Sequence, residues 1–244
     1  MTYQERVKEH ILKWLNQLQR AEKEEMLYLV SRWQEVEKVL SEMILDLAQK
    51  EGLSRNQLYR LEEYQKFLNE LQRQIKYFSL DVGQKIIQQQ KWIGGFEIIP
   101  GGLSLRQGNL WIGLSREGTP IYELLKESYP ETVIRITNTL LEGISLGYAP
   151  EKTARLMRED LAGNLSRALR IARTEQMNTF REVSRMQMEQ AGVDSWEWLA
   201  EEDACDFCLS QAGKRFPTEQ GMETHPNCRC AMLPVIEKRS DSNG

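Results

Sequence analysis

The sequence predicts a mainly α-helical protein whose long amphipathic helices are followed by a small carboxy-terminal β-hairpin module of the zinc-binding type. Three observations support this fold class. Apolar residues recur at steps of three and four over most of the chain, as on one face of a helix. Near the end, Trp196 and Trp198 alternate with other residues, which is typical of a strand. All four cysteines of the 244-residue chain lie between Cys205 and Cys230.

The composition argues against two classes of protein. The chain has 32 basic and 36 acidic residues and a net charge of -4, so overall positive charge does not direct it to nucleic acid. No segment approaches the roughly 20 apolar residues that a membrane-spanning helix needs. The charged beginning lacks the apolar core of an export signal, so we expect synthesis in the cytoplasm and no contact with membranes.

Residues 1–90 are predicted to be a helical region and a candidate for docking a partner. Thr2 and Glu5 have the spacing of a capping box, Gly52 interrupts the helical pattern, and Ser54 with Gln57 begins it again. Fourteen basic residues balance fourteen acidic ones in this region. Two or three long helices with apolar stripes are expected, and either the core of a bundle or a partner protein covers those stripes.

Residues 91–118 are predicted to form a glycine-rich excursion between helical regions, either as one or two short hairpins or as an ordered loop. A phosphate-binding loop is not expected, because no Gly-Lys-Ser/Thr follows a strand there.

Helix returns over residues 119–192, with Pro120 at a first helical position. Gly147 and Gly163 are expected to divide this region, and Gly192 to end it.

Residues 193–236 are predicted to be a Cys/His β-hairpin module, and residues 237–244 a disordered tail. The strand at Trp196 has an antiparallel partner in the apolar run of residues 230–236. Because residues 1–204 contain no cysteine, we expect loss of a metal ligand to destabilise the region after Ser195 and to leave the amino-terminal helices folded.

Five candidate metal ligands occur within this module, and four are expected to bind one ion. A Cys-x-x-Cys pair allows two thiolates to reach a metal from one turn, and a second group from a distant loop completes a tetrahedron. The spacing favours structural zinc; paired disulfides and reduced buried thiols remain alternatives. A catalytic zinc is disfavoured because no open position is expected. The candidate ligands are Cys205, Cys208, His225, Cys228 and Cys230.

The carboxy-terminal third resembles the phage Mu F-like family of minor head proteins over about residues 140–236. The motifs that carry the resemblance occur in the same order and spacing: Arg173-Thr174-Glu175, Asn178, Gly192-Val193, Trp196–Trp198, Asp203, Cys205-x-x-Cys208, Gly213-Lys214, Phe216, the run from His225 to Cys230, and Pro234-Val235.

The resemblance implies a structural, non-enzymatic role in assembling the head of a double-stranded DNA bacteriophage. Members of this family associate with the portal and are incorporated into the procapsid. The expected partner is therefore the portal protein, with scaffold, major capsid protein and packaged DNA as further candidates. The expected location is the inside of the virion head near the portal, after assembly in the host cytoplasm.

An arginine series on the predicted last helix is a candidate contact for a partner or for DNA. Its members are Arg167, Arg170, Arg173, Arg181 and Arg185. A solvated face that pairs with nearby glutamates is the plainer interpretation. Arg173-Thr174-Glu175 alternatively anchors the Cys/His module against the helix. A nucleic-acid-binding module that uses the Cys/His site and these arginines is the alternative function, and salt-dependent retention on DNA would favour it.

Overall fold

The computed structural model describes residues 2–50, 52–99, 111–126 and 129–236. Within these ranges no helix is both long and apolar enough to span a membrane. The predicted fold class is confirmed. The elements in chain order are α1 (Tyr3–Ala48), α2 (Arg55–Arg60), α3 (Glu62–Gly94), α4 (Ile121–Lys126), α5 (Tyr129–Ser145), α6 (Pro150–Gln190), β1 (Ser195–Leu199), α7 (Asp206–Gln211), β2 (Arg215–Pro217) and β3 (Ala231–Val235).

Both capping boxes predicted in the amino-terminal region are present. At the start of α1 the Glu5 amide donates to the Thr2 hydroxyl at 3.2 Å, and the Thr2 amide donates to the Glu5 carboxylate at 2.6 Å. At α2 the same exchange joins Ser54 and Gln57. These side chains satisfy amides that have no partner inside the helix, which fixes where the helices begin.

Helix α6 runs without a break through Gly163, so the prediction that this glycine divides the region is wrong. A Cβ at Gly163 would lie 3.0 Å from Nη2 of Arg135 on α5. The glycine therefore makes room for a neighbouring side chain, which explains its presence in a helix interior. Gly192 does end the helix: its φ is +66°, and the amide of Val193 donates to the Met188 carbonyl at 2.9 Å.

The described part of the glycine-rich region contains helix and loop but none of the strands that the predicted hairpins would need. Helix α3 continues to Gly94, and no strand occurs in the described residues 95–99 and 111–118; residues 100–110 lie outside the described ranges. Gln187 on α6 supplies hydrogen bonds that a neighbouring strand would otherwise give. Its side-chain oxygen accepts from the amides of Ile98 at 2.7 Å and Ile99 at 3.1 Å, and its side-chain nitrogen donates to the Phe96 carbonyl at 2.5 Å.

A three-stranded antiparallel sheet in the order β2-β1-β3 forms the carboxy-terminal module. The predicted pairing of the tryptophan strand is confirmed, with Trp196 opposite Pro234 and Trp198 opposite Met232. The third strand, β2, was not predicted, and it places Phe216 opposite Trp196. The expected disordered tail, residues 237–244, lies outside the described residues.

The chain forms two compact units, and neither follows the linear segments of the sequence. Unit 1 comprises residues 1–23, 86–118 and 173–244, and unit 2 comprises residues 24–85 and 119–172. One core cluster of unit 1 joins Val7 and Ile11 of α1, Phe180 of α6, and Ala231 and Leu233 of β3. The Cys/His module therefore shares a core cluster with the start of α1, which the linear division of the sequence did not predict.

Unit 2 is helical in its described residues. Its interior contains polar pairs as well as apolar side chains. Tyr64 and Thr137 hydrogen-bond at 2.5 Å between α3 and α5, and Thr132 donates to Asn164 at 3.0 Å between α5 and α6. Burial of these pairs is tolerated because each polar group has a partner.

Candidate metal centre

Two of the predicted ligands lie at the start of the short helix α7. Cys205 occupies the N-cap position with extended backbone angles, and Cys208 lies three residues later. A separation of three residues places both side chains on one face of the helix. Cys208 is 1% exposed, whereas Cys205 is exposed. The thiol groups of both lie near Nε2 of His225, at 3.2 Å and 3.3 Å respectively.

The loop from His225 to Cys230 supplies the other three ligands. Asn227 adopts a left-handed conformation with φ +65°, and the Cys228 amide donates to the His225 carbonyl at 3.2 Å. This tight turn brings both residues to the same side of the loop. Nδ1 of His225 lies 2.8 Å from the Pro226 carbonyl, a contact that suits Nδ1–H as donor and leaves Nε2 free of a proton for binding a metal.

The distances between these ligand atoms fit a tetrahedral metal site. With Zn–S bonds of about 2.3 Å and Zn–N bonds of about 2.0 Å, tetrahedral edges are about 3.8 Å between sulfurs and about 3.5 Å between sulfur and nitrogen. The sulfurs of Cys208 and Cys228 are 3.7 Å apart, and the two sulfur–nitrogen distances to His225 are slightly shorter than the expected edge.

The five donors form two overlapping groups that share Cys208. One group contains Cys205, Cys208 and His225, and the other contains Cys208, Cys228 and Cys230; in each, the ligand atoms lie within 4.8 Å of one another. All four cysteines are free thiols, so no disulfide is formed. The cluster can therefore hold a metal ion with residues from both sides of the module.

The buried thiols have strongly altered acidities because they hydrogen-bond to one another. The Cys228 thiol donates to the Cys230 sulfur, which lowers the pKa of Cys230 to about 5 and raises the pKa of Cys228. Burial raises the pKa of Cys208 to about 12. One thiolate is thus favoured in the metal-free cluster, and a bound cation would favour deprotonation of the others.

Arg181 of α6 contacts the loop from His225 to Cys230, called the ligand loop below. Its side chain is buried, and it donates to the carbonyl oxygens of Cys228 at 2.8 Å and of Cys230 at 2.9 and 3.0 Å. Its remaining hydrogen bonds go to Asn178 and Thr224. Burial lowers the pKa of this guanidinium, while the neighbouring thiol groups of Cys228 and Cys230 raise it.

A buried glutamate anchors the same loop to α1. The Glu22 carboxylate accepts from Arg229, between the ligands Cys228 and Cys230, at 2.9 Å, and it also accepts from Arg173 of α6. The Asn227 amide donates to the Thr174 hydroxyl at 3.2 Å. These contacts confirm that Arg173 and Thr174 anchor the Cys/His module, whereas Glu175, the third residue of that motif, contacts Asn178 on its own helix.

Most of the predicted arginine series makes contacts within the chain. Arg181 was proposed as a partner or DNA contact, and that prediction is wrong because its guanidinium is buried against the ligand loop. Arg185 pairs with Glu182 at 2.6 Å and with Glu189, as in the plainer interpretation. Arg167 donates to the Leu124 carbonyl at 3.2 Å. Arg170 is the exposed member of the series.

Two functional residues were missed by sequence reasoning. Glu22 belongs to a charged run that looks solvated, yet its side chain is only 7% exposed. Its position on the apolar side of α1, four residues after Leu18, was the available signal. Gln187 gave no signal, because a polar residue late in a helix is ordinarily a surface residue.

Comparisons with family models, with curated proteins and with solved structures give no match to this chain. The description of its site therefore rests on the chain's own residues.

Proposed function

We propose that the protein is a structural, non-enzymatic minor head protein of a double-stranded DNA bacteriophage, which associates with the portal and is built into the procapsid. The observation that supports this proposal is the convergence of the motifs that carry the resemblance. The Cys205–Cys208 pair, the His225–Cys230 loop and Arg173-Thr174 are far apart in sequence, yet they contact one another around one cluster.

Exposed apolar side chains support docking to protein. Several large apolar residues are more than half exposed, and no membrane-spanning helix occurs among the described residues that would place them in lipid. Apolar side chains of this kind form the centres of protein interfaces. They are Leu27, Tyr77, Ile134, Leu146 and Phe207.

Co-expression with the portal protein of the same genome, followed by size exclusion, tests this function. We expect a stable complex that enters procapsids, and we expect Ile134→Ser with Leu146→Ser to weaken it without unfolding unit 2. Thr139→Ser on α5, the helix that contains Ile134, is the control variant. Elution of the portal protein and of this protein as separate species at every concentration would contradict the proposal.

We further propose that the ion is zinc and that Cys205, Cys208, His225 and Cys228 bind it. Soft thiolates with one imidazole, three of whose mutual distances are close to tetrahedral edges, favour zinc over harder cations. Cys230 then lies beside the site, where its sulfur accepts a hydrogen bond from the Glu201 amide. With all four positions filled by protein, the metal would have a structural role rather than a catalytic one.

Elemental analysis of freshly purified protein tests the metal assignment. One equivalent of zinc per chain is expected, and it should be retained by Cys230→Ser but lost in Cys208→Ser, which lacks the donor shared by both groups. Less than about a tenth of an equivalent of any metal would contradict the assignment, because structural sites are normally filled.

A further inference from the structure

A second concave site lies in unit 1, beside the metal centre but lined by different atoms. It is a partly open cavity of about 30 Å³ between α6, the segment that follows Trp111, and the loop at Gly221. One ordered water needs about 10–15 Å³, so the cavity has room for two or three oxygen-sized atoms. Its lining contains Trp111, Arg116, Asn178, Arg181, Glu182, Arg185, Gly221, Met222 and Met232.

Hydrogen-bond donors dominate the polar lining of this cavity. The indole nitrogen of Trp111 is buried and has no hydrogen-bond partner. A buried donor of this kind ordinarily has an acceptor, from the protein, from water or from an ion. Arg116 uses one of its five N–H groups, donating to the Met222 carbonyl at 3.0 Å, and its side chain borders the cavity.

Each side-chain oxygen in the lining already accepts a hydrogen bond from an arginine. Both carboxylate oxygens of Glu182 accept from Arg185, at 3.0 and 2.6 Å, and the Asn178 side-chain oxygen accepts from Arg181. The hydrogen-bonding groups of the lining that have no partner, Trp111 Nε1 and the unused N–H groups of Arg116 and Arg185, are donors. A ligand that only accepts hydrogen bonds fits the cavity.

The charges of the lining also favour an anion. Three guanidinium groups, those of Arg116, Arg181 and Arg185, face one carboxylate, that of Glu182. Arg181 donates its N–H groups to the ligand loop, to Asn178 and to Thr224, so it contributes charge rather than a new bond. Arg185 retains N–H groups beyond those it shares with Glu182 and Glu189. Arginine's planar fork suits the oxygens of phosphate.

We infer that this cavity is a phosphate-binding site in which Trp111 Nε1 and Arg116 donate to two oxygens of a phosphoryl group whose other oxygens lie in the open mouth. The ligand is either free inorganic phosphate or a phosphate of a nucleic-acid strand. This inference does not depend on the portal association or on the identity of the metal.

Calorimetric titration of the full chain with inorganic phosphate at constant ionic strength tests the site. We expect saturable binding of one phosphate per chain, weakened about tenfold or more by Arg116→Gln and about fivefold by Trp111→Phe, since each removes a donor to the anion. Arg155→Gln on α6 and Trp92→Phe are matched controls that should bind like the wild type, because neither residue lines the cavity.

Competition between phosphate and an oligonucleotide identifies the source of the phosphoryl group. An oligonucleotide that displaces phosphate from the wild type, but binds Arg116→Gln more weakly, would assign the site to nucleic acid. Failure to displace it would assign the site to the free anion. If the wild type shows no saturable phosphate binding up to about 20 mM, a range well above a millimolar dissociation constant, the inference is overturned whether or not the variants fold. Binding that is equal in wild type, Arg116→Gln and Trp111→Phe overturns it as well.

Discussion

The guanidinium of Arg181 donates twice to the carbonyl oxygen of Cys230, from Nε at 3.0 Å and from Nη2 at 2.9 Å. Its other hydrogen bonds also go to neutral oxygens, so this buried cation has no carboxylate as a hydrogen-bonded partner. A buried charge requires compensation. The neighbouring thiol groups of Cys228 and Cys230 provide it when they are deprotonated, which couples the arginine to the charge of the cluster.

Replacing Arg181 should weaken metal binding. Arg181→Met keeps the length of the side chain but leaves two loop carbonyls without their donor. We expect metal affinity to fall about 10- to 100-fold, as is typical when the residues that orient a metal's ligands are removed. Competition with a chromophoric chelator measures the affinity.

Arg155→Met on the same helix is the control for this experiment. Arg155 is exposed and pairs with Glu159, so its loss should leave metal affinity unchanged. If Arg181→Met binds metal as tightly as Arg155→Met, the ligand loop holds its geometry without the arginine.

Glu22 should contribute to stability far more than its neighbour Glu24. Glu22→Gln removes the charge that two arginines share, and we expect unfolding free energy to fall by about 2–4 kcal/mol, because a partly buried pair is broken on one side. Glu24→Gln, at an exposed position, should change it by less than about 0.5 kcal/mol. Equal denaturation midpoints for the two variants would show that the arginines rearrange.

Glu175 should make stability depend on pH. Burial, and then the charge of Glu117, raise its pKa from 4.5 to about 7 in the folded chain. A folded pKa above the unfolded value means that the folded state favours protonated Glu175. The contribution of Glu175 to stability is therefore complete below pH 4.5 and is lost as pH rises through 7.

Glu175→Gln should therefore match the wild type near pH 4.5 and exceed it in stability above pH 7. The gain at high pH is on the order of 3 kcal/mol, which corresponds to the shift from 4.5 to about 7. Chemical denaturation of both proteins across this range measures it. A difference that does not change with pH would mean that Glu175 is ionised throughout.

The local signals in the sequence were reliable where one residue's chemistry determines the structure. Thr2 and Ser54 cap helices, Gly192 ends one with a positive φ, and the tryptophan strand pairs as its alternation indicates. The cluster of cysteines and His225 was also found, because ligand spacing is a local property.

The remaining features depend on contacts between distant segments. Gly163 lies inside α6, where the side chain of Arg135 from another helix approaches it closely. Arg181 looked like a surface residue until the ligand loop was placed over it, 49 residues later in the chain. Glu22 and Gln187 are likewise buried by segments that are distant in sequence.

Removing the metal should loosen the amino-terminal part of α1 as well as the Cys/His module. The two faces of β3 join two clusters of unit 1: Met232 lies in the cluster with the cysteines, whereas Ala231 and Leu233 lie in the cluster with Val7 and Ile11. Successive residues of a strand point to opposite faces, so loss of order in one cluster displaces the strand from the other.

Hydrogen exchange before and after treatment with a chelator tests this coupling. Peptides from residues 3–18 and 195–235 should lose protection together, because unfolding of β3 exposes amides in both. Peptides from residues 64–78 lie in unit 2, which has its own interior, and should exchange at an unchanged rate. Loss of protection confined to residues 195–235 would show that α1 keeps its packing without β3, as an independent Cys/His module requires.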